Sequence, residues 1–320
     1  MAGEAATGPA FSDPTKQVPM AETWRRQPIT YKEVPPDTDV AVTLDQHLYP
    51  ALLPLIRDYA QQHQLRIAVQ EGTCGISAGA LADKEVDIGG FCCPAGEIDR
   101  LPGLTYHTLG IASLALLVNP ANPVEDVDEV TAHRIFQGEI ADWQDVASER
   151  KDHLPDIAPI QAVARLHCKN RPGHWRLILD NEDQFSPTLL EVSTIQDMIQ
   201  RVARLPDAIG YETLWMVERY GKGEVNTLTI NGFSPTDEQA LAEGKYPFYR
   251  TYNISSWSAP HLARPEAGAL VTYLMQEFHR VDPKYGFVPA MRLREAGWRF
   301  SGDELIGGPP ALEKTGNQAD

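Results

Sequence analysis

The chain has 320 residues, of which 42% are hydrophobic and 22% are charged, and this length is enough for two domains with buried cores. The formal net charge is −16 at pH 7, and no cluster of Lys and Arg interrupts the acidic composition. Because proteins bind phosphate backbones through a basic face, this composition argues against a nucleic-acid partner. The longest apolar run, "GIASLALLV" at 110–118, is far too short to span a bilayer and predicts a buried strand.

Strands and helices are predicted to alternate along the chain. Residues 1–36 are rich in Ala, Gly and Pro and have no hydrophobic signal core, so we predict a disordered leader there. The hydrophobic periodicity then predicts strands at 39–44, 66–69, 86–89 and 160–164, and helices at 49–62, 127–136, 194–203 and 265–278. This order indicates an α/β architecture with mostly parallel sheets. Residues 301–320 are predicted to form a tail, whose Pro-rich part "GGPPALEKTGNQAD" (307–320) is predicted to be disordered.

The cysteines are few, and two of them are adjacent. Cys92 and Cys93 follow the predicted strand at 86–89 in "VDIGGFCCP", while Cys74 and Cys168 lie elsewhere. Four cysteines are too few for a disulfide framework in a chain of this length. The sequence has no CxxC pair, no Gly-rich phosphate loop, no GxSxG and no HExxH. The absence of these motifs argues against an enzyme.

Five segments carry motifs that occur together in one family. They are "EVDIGG" (85–90), "LVNPANPVEDVDEVTAHRIFQGEIADWQDV" (117–146), "AIGYE" (208–212), "YPFYR" (246–250) and "YGFVPA" (285–290). In this order they resemble the phosphate-type periplasmic solute-binding proteins of ABC transporters. The second segment is the most specific, because the Asn-Pro repeat and the Ile-Phe-x-Gly-x-Ile-x-x-Trp pattern both stand in place.

The resemblance implies a type II periplasmic-binding-protein fold with two α/β lobes, crossing hinge strands and a ligand held in the cleft between the lobes. It places lobe 1 at 37–117 and 247–300 and lobe 2 at 118–246. It also implies a periplasmic monomer that binds a small ligand or ion and delivers it to an ABC permease or a sensor kinase.

The ligand loops are where this chain departs from the family pattern, which favours Ser and Thr. The four loops read "TLDQHLYP" with His47, "EGTCGIS" with Thr73 and Cys74, "GFCCP" with Cys92 and Cys93, and "ARLHCKNRPGHWR" with Arg165 and His174. Thiolates and imidazoles are soft to borderline ligands. We therefore predict that the ligand is a soft metal or metalloid species, such as copper, zinc, arsenite or haem iron, held by Cys74, Cys92, Cys93 and His174, with His47, Thr73 and Arg165 as further contacts.

Other interpretations of these loops remain open. In the first, the ligand is an oxyanion held by Arg165, Arg171 and backbone N–H groups, and the cysteines are incidental or form a disulfide such as Cys74–Cys93 or Cys92–Cys168. In the second, the protein is a thiol-dependent redox protein or enzyme that uses a Cys of low pKa beside a His. The cysteines can also serve as small buried hydrophobes.

Overall fold

A computed structural model describes residues 11–148, 159–165, 178–179 and 182–309. The chain divides into two compact units. Unit 1 contains residues 1–111, 251–283 and 289–308, and unit 2 contains residues 112–250, 284–288 and 309–320. The sequence placed the boundaries at 117/118 and 246/247, whereas the units divide at 111/112 and 250/251, inside two long strands that contribute residues to both units.

In the first half of the described chain, residues 40–91 alternate strands and helices as the periodicity predicted, and two further strands and two helices follow. The elements of this half are α1 (Glu22–Arg26), β1 (Val40–Asp45), α2 (Tyr49–His63), β2 (Ile67–Gly72), α3 (Cys74–Ala82), β3 (Ile88–Phe91), β4 (Leu104–Val118), β5 (Asp126–Val127), α4 (Glu129–Gln137) and α5 (Trp143–Ser148).

The second half begins with unit 2 and returns to unit 1. Its elements are β6 (Gln161–Ala164), β7 (Leu190–Glu191), α6 (Ile195–Arg204), β8 (Ala208–Thr213), α7 (Leu214–Gly221), β9 (Asn226–Thr227), β10 (Thr229–Ile230), α8 (Glu238–Ala242), β11 (Tyr249–Trp257), α9 (Pro265–Glu277), β12 (Phe287–Pro289), α10 (Ala290–Glu295), β13 (Arg299–Ser301) and β14 (Glu304–Gly307). Among the described residues, no helix is long and apolar enough to cross a membrane.

The sheet of unit 1 has the strand order β2-β1-β3-β11. Strand β1 is parallel to both β2 and β3, and β3 is antiparallel to β11. All six residues of β1 are buried, as expected of a central strand in a parallel sheet that is covered on both faces. Because β1, β2 and β3 run in the same direction, the loops that follow them meet at one edge of the sheet.

A glycine in β3 allows α3 to pack closely against the sheet. A Cβ atom on Gly89 would lie 2.5 Å from Cδ1 of Leu81, a buried residue of α3. We expect Gly89→Ala to lower the free energy of unfolding by about 1–3 kcal/mol, because the added methyl forces a well-packed core to shift.

Urea unfolding of Gly89→Ala beside Gly79→Ala tests this expectation. Gly79 lies within α3 and has open space around the position of a Cβ. Alanine there should be neutral or stabilise the helix by roughly 0.5–1 kcal/mol. Equal free energies of unfolding for the two variants would contradict the close packing of Gly89 against α3.

The sheet of unit 2 has the strand order β4-β8-β6-β7, in which β6 is parallel to β7 and β8, while β4 is antiparallel to β8. The apolar run at 110–118 lies in β4 and is buried, as predicted. Helix α6 packs against β6 and β8 through its buried face, which consists of Ile195, Met198, Ile199 and Val202.

The motif at 117–146, the most specific one in the sequence, contributes to the core of unit 2. Phe136 and Trp143 are fully buried, and Nε1 of Trp143 donates to the carbonyl of Asp207 at 3.0 Å. Gly138 ends α4 in the left-handed conformation, with φ of 80°. The motif therefore identifies the fold and not the ligand.

The leader predicted to be disordered over 1–36 is ordered over 11–36. The ammonium group of Lys84 donates to the carbonyls of Trp24 (2.6 Å), Arg25 (3.2 Å) and Gln27 (2.7 Å), and Trp24 Nε1 donates to the carbonyl of Ala82 at 2.7 Å. Lys84 also lies over the Trp24 ring, 4.3 Å from its centroid. The composition of residues 1–36 predicted disorder. The buried ammonium group of Lys84 requires hydrogen-bond acceptors, however, and the backbone carbonyls of the segment supply them.

The predicted tail is likewise ordered over 301–309. Strands β13 and β14 form an antiparallel hairpin. Glu304 in β14 accepts two hydrogen bonds from the guanidinium group of Arg100, at 2.7 and 3.1 Å, and Arg100 also donates to the carbonyl of Ser12 at 2.9 Å. One buried arginine thus holds both terminal segments against unit 1.

Candidate functional site

Five polar or thiol side chains meet where the parallel strands of unit 1 end. Asp45 is the last residue of β1, and its backbone pairs with Gly72 at the end of β2. Helix α3 starts two residues later with Cys74, while Cys92 and Cys93 follow directly after β3. His47 lies in the turn after β1. We call Asp45, His47, Cys74, Cys92 and Cys93 the thiol cluster.

The sulfur atom of Cys74 is the centre of the thiol cluster. It lies 3.4 Å from Sγ of Cys92, 3.8 Å from Sγ of Cys93 and 3.7 Å from Oδ2 of Asp45. The backbone N–H of Cys92 also donates to it, at 3.3 Å. The two adjacent cysteines therefore direct their thiols to the same point, and the structure brings Cys74, Cys92 and Cys93 together. Their role as ligand residues stays a prediction.

Asp45 fixes the position of His47. Its Oδ1 accepts a hydrogen bond from the backbone N–H of His47 at 2.8 Å and lies 3.0 Å from Nδ1 of the ring. Ligand atoms of Asp45, His47 and Cys92 all lie within 4.8 Å of one another. Asp45 was not among the predicted ligand residues, although an Asp two residues before a His at the end of a strand was a signal for it.

The thiol cluster is closed to solvent, and its ionisable groups change one another's pKa values. His47 is fully buried, and none of the three cysteines is more than 5% exposed. Burial by itself lowers the pKa of His47, but the charges of Asp45 and Cys92 outweigh burial and raise that pKa well above its ordinary value.

The pKa values of the Cys92 and Cys74 thiols are also raised. A hydrogen bond with Cys74, burial and the Asp45 carboxylate raise the pKa of Cys92 well above its ordinary value. For Cys74, the hydrogen bond with Cys92 lowers the pKa, but the hydrogen bond with Cys93 and burial outweigh it, and the net pKa is raised. A raised pKa disfavours a thiolate nucleophile near neutral pH and therefore weakens the redox or enzyme interpretation.

The disulfide between Cys74 and Cys93, one of the alternatives left open by the sequence, is not formed. Their sulfur atoms lie 3.8 Å apart, whereas a disulfide bond is about 2.05 Å long. Cys168 lies outside the described residues, so a pairing of Cys92 with Cys168 stays a prediction. His174 and Arg171 also lie outside them.

Thr73 and Arg165 occupy positions with clear structural roles. Thr73 caps α3, and its hydroxyl accepts a hydrogen bond from the N–H of Ile76 at 3.3 Å. Arg165 follows β6 in unit 2 and is 1% exposed. Its guanidinium group forms an ion pair with Glu212 at 2.9 Å, and Glu212 also lies 3.4 Å from the guanidinium group of Arg250. Contact of Thr73 or Arg165 with a ligand stays a prediction.

A comparison with protein families identifies the fold. A family model described as a PBP superfamily domain matches residues 30–277, which is more than half of the chain. The chain belongs to the PBP superfamily. The resemblance predicted from the sequence motifs is thereby confirmed.

Individual relatives of this PBP chain are distant in sequence. The phosphate-binding protein PstS of Bacillus subtilis (strain 168) is 24% identical over 189 residues, which are 57% of this chain and 58% of the relative. This chain thus covers less than two thirds of the length of that curated relative.

Solved structures show that the two-lobed fold predicted from the sequence is correct. An ABC-type phosphate transport receptor from Vibrio cholerae superposes with a TM-score of 0.62 at 20% identity, over 78% of this chain and 99% of the receptor. A protein from Clostridium perfringens, assigned as a phosphate ABC transporter substrate-binding protein and solved with bound phosphate, gives 0.64 at 14% identity, again over 78% and 99%. At these identities the similarity establishes the fold, including its α/β class, and no ligand.

Proposed function

We propose that this PBP chain is a solute-binding protein that captures a small oxyanion and delivers it to an ABC permease. The observation that carries the proposal is the family match over residues 30–277, together with relatives named for phosphate binding or phosphate transport. Those relatives also support a location outside the cytoplasm and a binding role without catalysis.

The geometry of unit 1 suits such a ligand. In open α/β sheets, ligands bind beyond the carboxyl ends of the strands, which is where the loops after β1, β2 and β3 meet. Helix α3 starts at the same edge, and the backbone N–H groups at a helix N-terminus favour an anion.

The relatives favour an oxyanion over the soft-metal cargo that was the first interpretation of the sequence. None of their names mentions a metal. Serine in place of cysteine would resemble the hydroxyl-rich loops of the family more closely. Oxyanion binding should therefore survive replacement of the thiols.

Calorimetric titration of metal-free protein with phosphate, arsenate, sulfate and molybdate tests the proposal. One anion should bind with a stoichiometry of one and raise the free energy of unfolding by about 2.7 kcal/mol at a hundredfold excess over its Kd. The Cys74→Ser/Cys92→Ser/Cys93→Ser variant should bind the same anion. If no anion binds to either protein while both are folded by circular dichroism, the oxyanion proposal is wrong.

A further inference from the structure

The thiol cluster contains more metal-binding atoms than an oxyanion site requires. Inside unit 1, the sulfur atoms of Cys92 and Cys93 both lie against that of Cys74. Ligand atoms of His47 and Asp45 lie within 4.8 Å of the Cys92 sulfur. We infer that the thiol cluster is a metal site of the zinc class, in which Cys74, Cys92, Cys93 and His47 hold one divalent cation. This inference does not depend on the proposed oxyanion function, because it concerns a resident ion and not the transported solute.

The spacing of the sulfur atoms fits a shared ion. Zinc bonds to thiolate at about 2.3 Å, so two thiolates on one tetrahedral zinc lie about 3.8 Å apart. The observed separations from Cys74 Sγ are 3.4 Å to Cys92 and 3.8 Å to Cys93. Cys74 can therefore share a cation with Cys92 or with Cys93 at close to the observed separations, and a shared ion would draw the third thiol to the same point.

The imidazole of His47 is already oriented for a metal. Its Nδ1 lies 3.0 Å from Oδ1 of Asp45, so Nε2 is the nitrogen that would bind the ion. A carboxylate that accepts the hydrogen bond of a metal-binding His is a common outer-shell arrangement, and it fixes both the tautomer and the ring orientation. Asp45 is thus a positioning residue, which also accepts from the backbone N–H of His47.

The types of ligand atom in the thiol cluster indicate which class of ion it binds. Three Cys and one His form a common set for four-coordinate structural zinc, whereas the hard cations calcium and magnesium require oxygen ligands. The nearly complete burial of all four donors is typical of a structural ion that joins the loops after β1, β2 and β3.

Cobalt is a suitable probe, because Co²⁺ replaces Zn²⁺ and absorbs visible light when its site is tetrahedral. The full chain, reduced and freed of metal with a chelator, should bind one Co²⁺ with a thiolate-to-metal charge-transfer band and visible d–d bands. One equivalent of Zn²⁺ should abolish both. X-ray absorption of the zinc form should show three sulfur neighbours at about 2.3 Å and one nitrogen at about 2.0–2.1 Å.

Variants test the individual ligands. Cys92→Ser should lower the affinity for Co²⁺ by about 100-fold or more, since loss of a direct ligand should exceed the 10- to 100-fold cost of losing an outer-shell partner. Asp45→Asn should lower the affinity about 10- to 100-fold but leave the charge-transfer intensity per bound Co²⁺ unchanged. The matched control is Ser77→Ala, a fully buried position of α3 that offers no donor to the thiol cluster and should bind like the wild type.

Several results would overturn the inference. The wild-type protein could bind neither Co²⁺ nor Zn²⁺, or it could bind Cu(I) alone. Its Co²⁺ spectrum could lack the thiolate band. The intact mass of the purified protein could also be lower by two hydrogens, which would indicate a Cys74–Cys92 disulfide. The X-ray absorption measurement needs no variant, so the test holds even if Cys92→Ser fails to fold. Anion titration of the metal-free protein separates failure of the metal site from failure of the oxyanion proposal.

Discussion

Replacing Glu212 with alanine is expected to lower the free energy of unfolding of unit 2 by about 3–5 kcal/mol. Glu212 is fully buried, and its two carboxylate oxygens face the guanidinium groups of Arg165 and Arg250, which are 1% and 0% exposed. Alanine removes the carboxylate that the two buried cations share, and buried charges that lose such a partner are costly. The fold of unit 2 therefore depends on this acid more than on a core methyl group.

Urea unfolding followed by circular dichroism measures the effect. Glu218→Ala is the matched control, because Glu218 lies in α7 of the same unit and forms an exposed ion pair with Lys222. Exposed pairs contribute about 0–1 kcal/mol, so the control should remain close to the wild type. A loss below about 1 kcal/mol for Glu212→Ala would show that water or other groups replace the carboxylate.

Replacing Arg100 with methionine is expected to lower the free energy of unfolding of unit 1 by a similar amount, about 3–5 kcal/mol. Arg100 is 6% exposed and donates to both carboxylate oxygens of Glu304, to the carbonyl of Ser12 and, through Nε, to the Ser12 hydroxyl at 2.7 Å. Methionine retains an unbranched apolar stem but removes every donor. A buried carboxylate and the backbone near residue 12 then lose their partner.

Limited proteolysis combined with urea unfolding tests the role of Arg100 at both ends of the chain. Cleavage near Ser12 and in the β13–β14 hairpin should become faster in Arg100→Met. The control is Arg66→Met, because Arg66 is exposed and forms surface ion pairs with Asp37 and Asp39, so its loss should cost at most about 1 kcal/mol. Unchanged cleavage at both ends would contradict the anchoring role of Arg100.

Much of the fold was predictable because it depends on local patterns and on core motifs. The helix predicted at 49–62 is Tyr49–His63, and the strand predicted at 39–44 is Val40–Asp45. The family motif around Phe136 and Trp143 was recognisable because these residues fill a core, where volume and shape restrict substitution. The two ends of the chain could not be predicted, because their composition resembles that of disordered segments.

The sequence by itself determined the α/β class, and the family resemblance of its motifs placed Cys74, Cys92 and Cys93 on ligand loops that meet at one edge of a sheet. Parallel strands impose that proximity whatever the details of packing. Only the tertiary structure decided that Asp45 joins the cysteines, that Cys92 and Cys93 both face Cys74, and that Lys84 and Arg100 hold the terminal segments. These contacts join residues far apart in sequence, and buried polar groups and charges require partners that only the folded chain can supply.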